Sequence, residues 1–142
     1  MPVLNIRAIL AGLLVDLVGS FAAWLVVLTT YASLLLSQGV SEAELETILS
    51  DPEKLGDIIM VLLFAGILFD GIAGYVTARM SPRVEYWNVL ALVGLLCLMH
   101  FSVNQNENAE LAYQTPALIG GIIAAFVGGG VAKRRSRRPP EG

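Results

Sequence analysis

Two carboxyls stand where a carboxyl is costly. Asp16 and Asp70 each interrupt a long apolar run. An aspartate at the centre of a membrane helix costs about 2.5–3.5 kcal/mol on insertion scales, so each calls for an explanation. Two carboxylates in apolar surroundings cannot both stay ionised, because burial and mutual repulsion oppose the second charge. At least one is expected to hold a proton at neutral pH, and the two to titrate as a unit. Three kinds of chemistry use such a pair: interhelical hydrogen bonding, proton or cation relay, and acid–base hydrolysis.

The residues around the two aspartates repeat. Ala8, Gly12, Asp16 and Ser20 recur every four residues, as do Gly66, Asp70, Gly74 and Ala78. Residues four apart share a helix face, so each run predicts a helix with a row of small residues holding one aspartate. Small rows let membrane helices approach closely where no hydrophobic effect drives association. Run antiparallel, the rows align: Ala8 with Ala78, Gly12 with Gly74, Asp16 with Asp70, and Ser20 with Gly66. The other arrangement sets each row against another helix or another copy of the chain. Further on, Gly120, Ala124 and Gly128 form one more small row, with Gly121, Ala125 and Gly129 beside it.

The elements that must carry these rows follow from composition. The 142 residues are 56% hydrophobic and 15% charged, with a mean hydropathy of +0.70. Ordinary soluble domains carry roughly 25% charged residues, and their helices have a polar face. Four segments here are apolar on every side and approach the roughly 20 residues that span a bilayer. They run over about 6–36, 55–79, 86–103 and 115–132. The expected fold is all-α: one polytopic domain of four transmembrane helices over residues 1–132. Asp51-Pro52 and Thr115-Pro116 read as starts of the second and fourth spans, with proline in the first turn. The first span is too long and too continuous to be a cleaved leader.

Charge sets the expected orientation. With four spans, Arg7, Arg79, Arg83, Lys133, Arg134, Arg135, Arg137 and Arg138 fall on one side and only Lys54 opposite. Basic residues mark the cytoplasmic side, so both termini are expected there. The other side collects Glu42, Glu44, Glu46, Asp51, Glu53, Asp57, Glu107 and Glu110. Ser41-x-x-Glu44 has capping-box spacing, followed by Leu45, Ile48 and Leu49 on one helical face. This predicts a short amphipathic helix on the outer surface between the first two spans. The tail 133–142 is expected to be disordered and to anchor the topology. Its Lys133, Arg134, Arg135, Arg137 and Arg138 could also hold anionic lipid headgroups, at roughly 1 kcal/mol each.

Several chemistries are disfavoured. Cys97 and His100 each stand alone, which excludes a disulfide framework, a cysteine zinc site and a His-rich metal site. No cofactor and no nucleic-acid partner is expected. No Gly-x-Ser-x-Gly or His-Glu-x-x-His occurs, and Asp70 follows Phe69 rather than a Gly-x-Gly, so no enzyme is expected. Two functions remain. The first is a membrane protein acting through helix association, as a homo-oligomer or an accessory subunit. The alternative is a small proton- or cation-coupled transporter or channel using Asp16 and Asp70.

Gly71-Ile-Ala-Gly-Tyr-Val-Thr-Ala-Arg79, then Ser81-Pro82-Arg83 and an apolar span with Gly94, resembles a known group. It is similar to small four-helix bacterial inner-membrane proteins of unknown function. Leu14-Val15-Asp16 in the first helix, the acidic segment after it, and Gly128-Gly129-Gly130 leading to Arg138 also fit. The resemblance implies a bacterial plasma-membrane location and no particular activity. Those proteins often carry a histidine early in the third helix, where this chain has Trp87-Asn88, so no role for that histidine transfers.

Overall fold

The computed structural model describes residues 4–82, 85–103 and 111–136, which form five helices and one isolated helical turn. They are α1 (Ile6–Ser37), α2 (Glu42–Ser50), the turn α3 (Pro52–Leu55), α4 (Asp57–Arg79), α5 (Glu85–Val103) and α6 (Leu111–Ser136). Three of these are long and apolar enough to cross a membrane: Ile6–Ser37, Ile58–Arg79 and Thr115–Arg135. The apolar stretch of α5, Glu85–Met99, is shorter.

The helix ends follow from local chemistry. Asn5 caps α1, its side-chain oxygen accepting from the Ala8 N–H at 3.2 Å. At the far end Gly39 takes φ 91°, and the N–H groups of Gly39 and Val40 bond back to Leu36 and Leu35. That is a Schellman stop, which needs a residue free to enter the left-handed region. Ser41 caps α2 by accepting from the Glu44 N–H at 3.3 Å. Leu45, Ile48 and Leu49 are half-buried there, while Glu42, Glu44 and Glu46 are exposed.

Three boundaries differ from the sequence expectation. Asp51-Pro52 opens only the single turn α3, because Gly56 at φ 50° breaks the helix before α4 starts at Asp57. Lys54 there reaches Asp51 at 3.4 Å. α6 begins at Leu111 rather than Thr115, so Pro116 lies inside it. The helix also continues through Lys133, Arg134 and Arg135 to Ser136, so this part of the tail is ordered. Cations in a last turn offset the negative end of the helix dipole. Arg137 and Arg138 lie outside the described residues.

α4 is the central helix, packed on α1 along one face and on α6 along another. A methyl group on Gly12 would strike the Thr77 hydroxyl and lie 2.9 Å from the Ala73 carbonyl oxygen. One on Gly74 would strike the Ala125 carbonyl oxygen, and one on Gly128 the Gly71 carbonyl oxygen. Side-chain-free positions therefore bring backbone against backbone on both sides of α4.

The remaining core lies at the end of the bundle that carries Arg7, Arg79 and Lys133, here called the basic end. Ile9, Ala73 and Leu92 form one buried cluster; Ala78, Val89, Val93, Ala125 and Ala132 form another. Polar groups bind the same end together. The Asn5 N–H donates to Asn88 Oδ1 at 2.8 Å, and Asn5 Nδ2 donates to the Met80 carbonyl at 3.1 Å. The Thr77 hydroxyl donates to the Ala8 carbonyl at 3.3 Å, and Ser81 donates to the Thr77 carbonyl. Asn88 and Thr77 are fully buried. Asn88→Ala takes the acceptor from the half-buried Asn5 N–H, and losing a hydrogen bond of this kind costs about 0.5–1.5 kcal/mol. Thermal unfolding in detergent should show that variant melting earlier than wild type, with its helix content unchanged at low temperature.

Candidate functional site

α1 is buried only near its start. Ala8, Ile9, Gly12 and Asp16 are its buried residues, and none follows from Leu17 to Ser37. Beyond Asp16 α1 still meets α4 where Gly19 seats against the Phe69 ring, and beside that contact a cavity of about 380 Å³ lies among α1, α4, α5 and α6. Asp16 and Ser20 line it from α1, and Gly66 and Asp70 from α4. Leu96, Cys97 and Met99 come from α5, and Ala117, Leu118, Gly121 and Ile122 from α6.

The two carboxyls lie at one end of this space. Below them, toward the basic end, Gly12, Ala73, Thr77 and Leu92 close the bundle. Above them the walls run through Leu63 and Leu62 toward the end where α1 finishes and α4 begins. Asp16 is only 9% exposed, and the Ser20 hydroxyl lies beside it one turn along. Asp70 is half-buried and has Asp16 as a neighbouring like charge. Two acids and a hydroxyl facing an apolar void can hold a proton, a cation, or one in exchange for the other. Among the described residues, no three His, Cys, Asp or Glu side chains are grouped to bind a metal ion.

The small rows divide differently from the simple alignment. Antiparallel pairing of α1 with α4 is present, but α4 offers α1 the face with Phe69, Ala73 and Thr77. Gly12 thus meets Ala73 and Thr77, and Gly74 faces Ala125 of α6. Ala8 meets Thr77, whereas Ala78 packs with Val89, Ala125 and Ala132. Ser20 and Gly66 share the cavity, where nothing lies within 4 Å of a methyl group placed on Gly66. On α6, Gly128 seats against Gly71, Ala124 lies beside Gly71, and Gly120 meets Ile67. The reason is steric. α6 carries two adjacent small rows and needs the glycines of α4, while α1 has one row and can accept Ala73 and Thr77.

Gly121 leaves the room that the Asp70 carboxyl occupies, for a methyl group there would strike Asp70 Oδ2. A side-chain tip can swing away, so Gly121→Ala should fold normally and move the carboxyl. The expected outcome is an unchanged melting temperature with altered cation binding, read by equilibrium dialysis.

Asn5, Thr77, Ser81 and Asn88 did not stand out in the sequence, yet they tie α1, α4 and α5 together. Asn88 offered a signal, being an amide one turn into an apolar span. Tyr86 and Trp87 nearby are exposed, and Lys133 Nζ sits 4.4 Å from the Tyr86 ring centre. The side chain of His100 lies outside the described residues.

The molecule is therefore a helical protein with three membrane-length apolar helices and a carboxyl-bearing cavity among four helices. Compared with known proteins, the chain matches no family model, no curated protein and no solved structure.

Proposed function

We propose that this chain is a four-span protein of a bacterial plasma membrane that exchanges protons for cations at Asp16 and Asp70. α5 supplies the fourth span. Its 19 residues reach about 28 Å at about 1.5 Å each, close to the hydrocarbon thickness. Basic residues at one end support cytoplasmic termini, and the glutamates of α2 support its lying on the outer surface. Lys133, Arg134 and Arg135 then sit at headgroup depth, where anionic lipid favours them.

The observation that carries the reading is the placement of the carboxyls. They end a cavity whose walls run from them toward the acidic side, while packed residues and hydrogen bonds lie on the basic side. A site closed toward one side, with space leading toward the other, is what one half of an alternating-access cycle requires. No catalytic role is proposed. The test is flux through liposomes holding the purified protein. An imposed proton gradient should collapse faster when a transported cation is supplied. Vesicles that stay tight to protons with every cation tried, while the protein remains folded, contradict the proposal.

A second reading, helix association as an oligomer or accessory subunit, draws on one feature. α1 beyond Asp16 has no fully buried residue, and the exposed Phe21 and Trp24 stack at 6.1 Å on its surface. Against it, Gly12, Gly74 and Gly128 are already occupied within one chain. Chemical cross-linking in native membranes separates the two, since association through this face requires a cross-linked species and ion exchange does not.

A further inference from the structure

The walls above the carboxyls bear on which cation the cavity takes. Among the described lining residues, only Asp16, Asp70 and Ser20 carry side-chain oxygen. Their five oxygens lie toward one end of the space, so a bare alkali ion held there faces apolar walls where the rest of its hydration shell had been. The rest of the lining is apolar, with Leu17, Leu63, Ile67, Leu96, Met99 and Leu118 facing the space. Apolar walls with a few convergent polar groups are how proteins hold organic molecules, in cavities of roughly 300–1,000 Å³. The volume here, about 380 Å³, falls in that range. Beside Asp70, Gly66 leaves open the room that any side chain would fill.

We infer that the cavity binds a small organic cation, an ammonium bearing an apolar body. Its charge sits at the Asp16–Asp70 end and its hydrocarbon lies against the leucine and methionine walls. The inference rests on the proton–cation exchange proposed above and names the substrate class of that same site. The division of labour follows from burial. Hydrocarbon leaving water drives entry, while the carboxyls supply the partner that a buried charge requires. A neutral molecule of the same shape gains only the first, and an alkali ion only the second.

The chain contains a single cysteine, Cys97, and it lines this cavity, so occupancy can be read at its thiol. The experiment follows maleimide labelling of Cys97 in the purified full-length protein. The probes are benzyltrimethylammonium, its uncharged isostere neopentylbenzene, and sodium chloride. Benzyltrimethylammonium should protect the thiol at concentrations on the order of tenfold to a hundredfold below its isostere, the equivalent of one charge-assisted contact. Asp70→Asn should remove that preference, with protection read against each variant's own unliganded labelling rate, and Gly66→Leu should abolish protection by filling the space. Equilibrium dialysis with tritiated benzyltrimethylammonium gives the same comparison independently of thiol reactivity. Equal protection by the charged and neutral probes would overturn the inference. Sodium binding without benzyltrimethylammonium binding would overturn it too, yet would leave proton–cation exchange standing. Loss of exchange itself is read separately, by the liposome flux.

Discussion

Gly74→Val is expected to prevent the bundle from assembling. The obstacle is not a side chain that could turn aside but the backbone of Ala125, whose carbonyl oxygen occupies the site of the new Cβ. Overpacking usually costs about 1–3 kcal/mol when neighbours can yield. Here the neighbour is a helix axis, so α4 and α6 must separate along their shared seam. Gly128 and Gly71 lie further along that seam in the same backbone contact. Separating the helices there forfeits the close packing that membrane association depends on. The control is Gly94→Val, the same change in a helix at an exposed position with nothing within 4 Å. Size-exclusion profiles should show Gly94→Val eluting as wild type, and Gly74→Val aggregated or lost. A Gly74→Val protein that melts with wild type would mean that α4 and α6 are not packed this closely.

Asp70→Asn is expected to stop cation-driven proton movement while preserving the fold. Asparagine has nearly the same shape, and a neutral amide is easily accommodated by a half-buried site. What disappears is the group that takes and gives up a proton. Asp16→Asn should do the same, keeping the side chain's shape beside the Ser20 hydroxyl. The comparison with Asp16→Leu is informative. If Asp16 held α1 to α4 directly, leucine would loosen that pair. The hydroxyl beside it, Ser20, however, lies on its own helix, and hydrogen bonds between the two helices run from Thr77 to the Ala8 carbonyl and from the Asn5 cap to the Met80 carbonyl. Asp16→Leu should therefore lose exchange without a large fall in melting temperature, whereas Thr77→Val should lower the melting temperature.

Much of this was legible in the residues. Runs without a polar face reveal membrane-length helices, and an aspartate in such a run is conspicuous because it is costly. Four-residue spacing placed Asp16 and Asp70 on small rows, and they line the same cavity. Rotation of α4 about its axis was not legible. Its two candidate faces, Phe69–Ala73–Thr77 and Asp70–Gly74–Ala78, lie about 100° apart, and lipid gives no polar face to decide between them. The choice depends on α6, whose Gly128 and Ala125 need glycine opposite. Two boundaries were misleading for local reasons. Asp51-Pro52 has the form of a helix start, but Gly56 cancels it within one turn. Thr115-Pro116 has the same form, yet helix precedes it from Leu111. The basic-end network went unseen because Asn5, Thr77, Ser81 and Asn88 are scattered through the sequence and meet only when three helices converge.

The central claim is that Asp16 and Asp70 form a site where a cation displaces a proton. The most direct test is to count protons. Purified protein in weakly buffered detergent solution is titrated with sodium, potassium and benzyltrimethylammonium chlorides while a pH electrode records release. The account predicts about one proton released per cation bound, by linkage between the two. It also predicts benzyltrimethylammonium as the effective salt and no release from Asp70→Asn. Folded wild-type protein that releases no proton with any of these cations would contradict it.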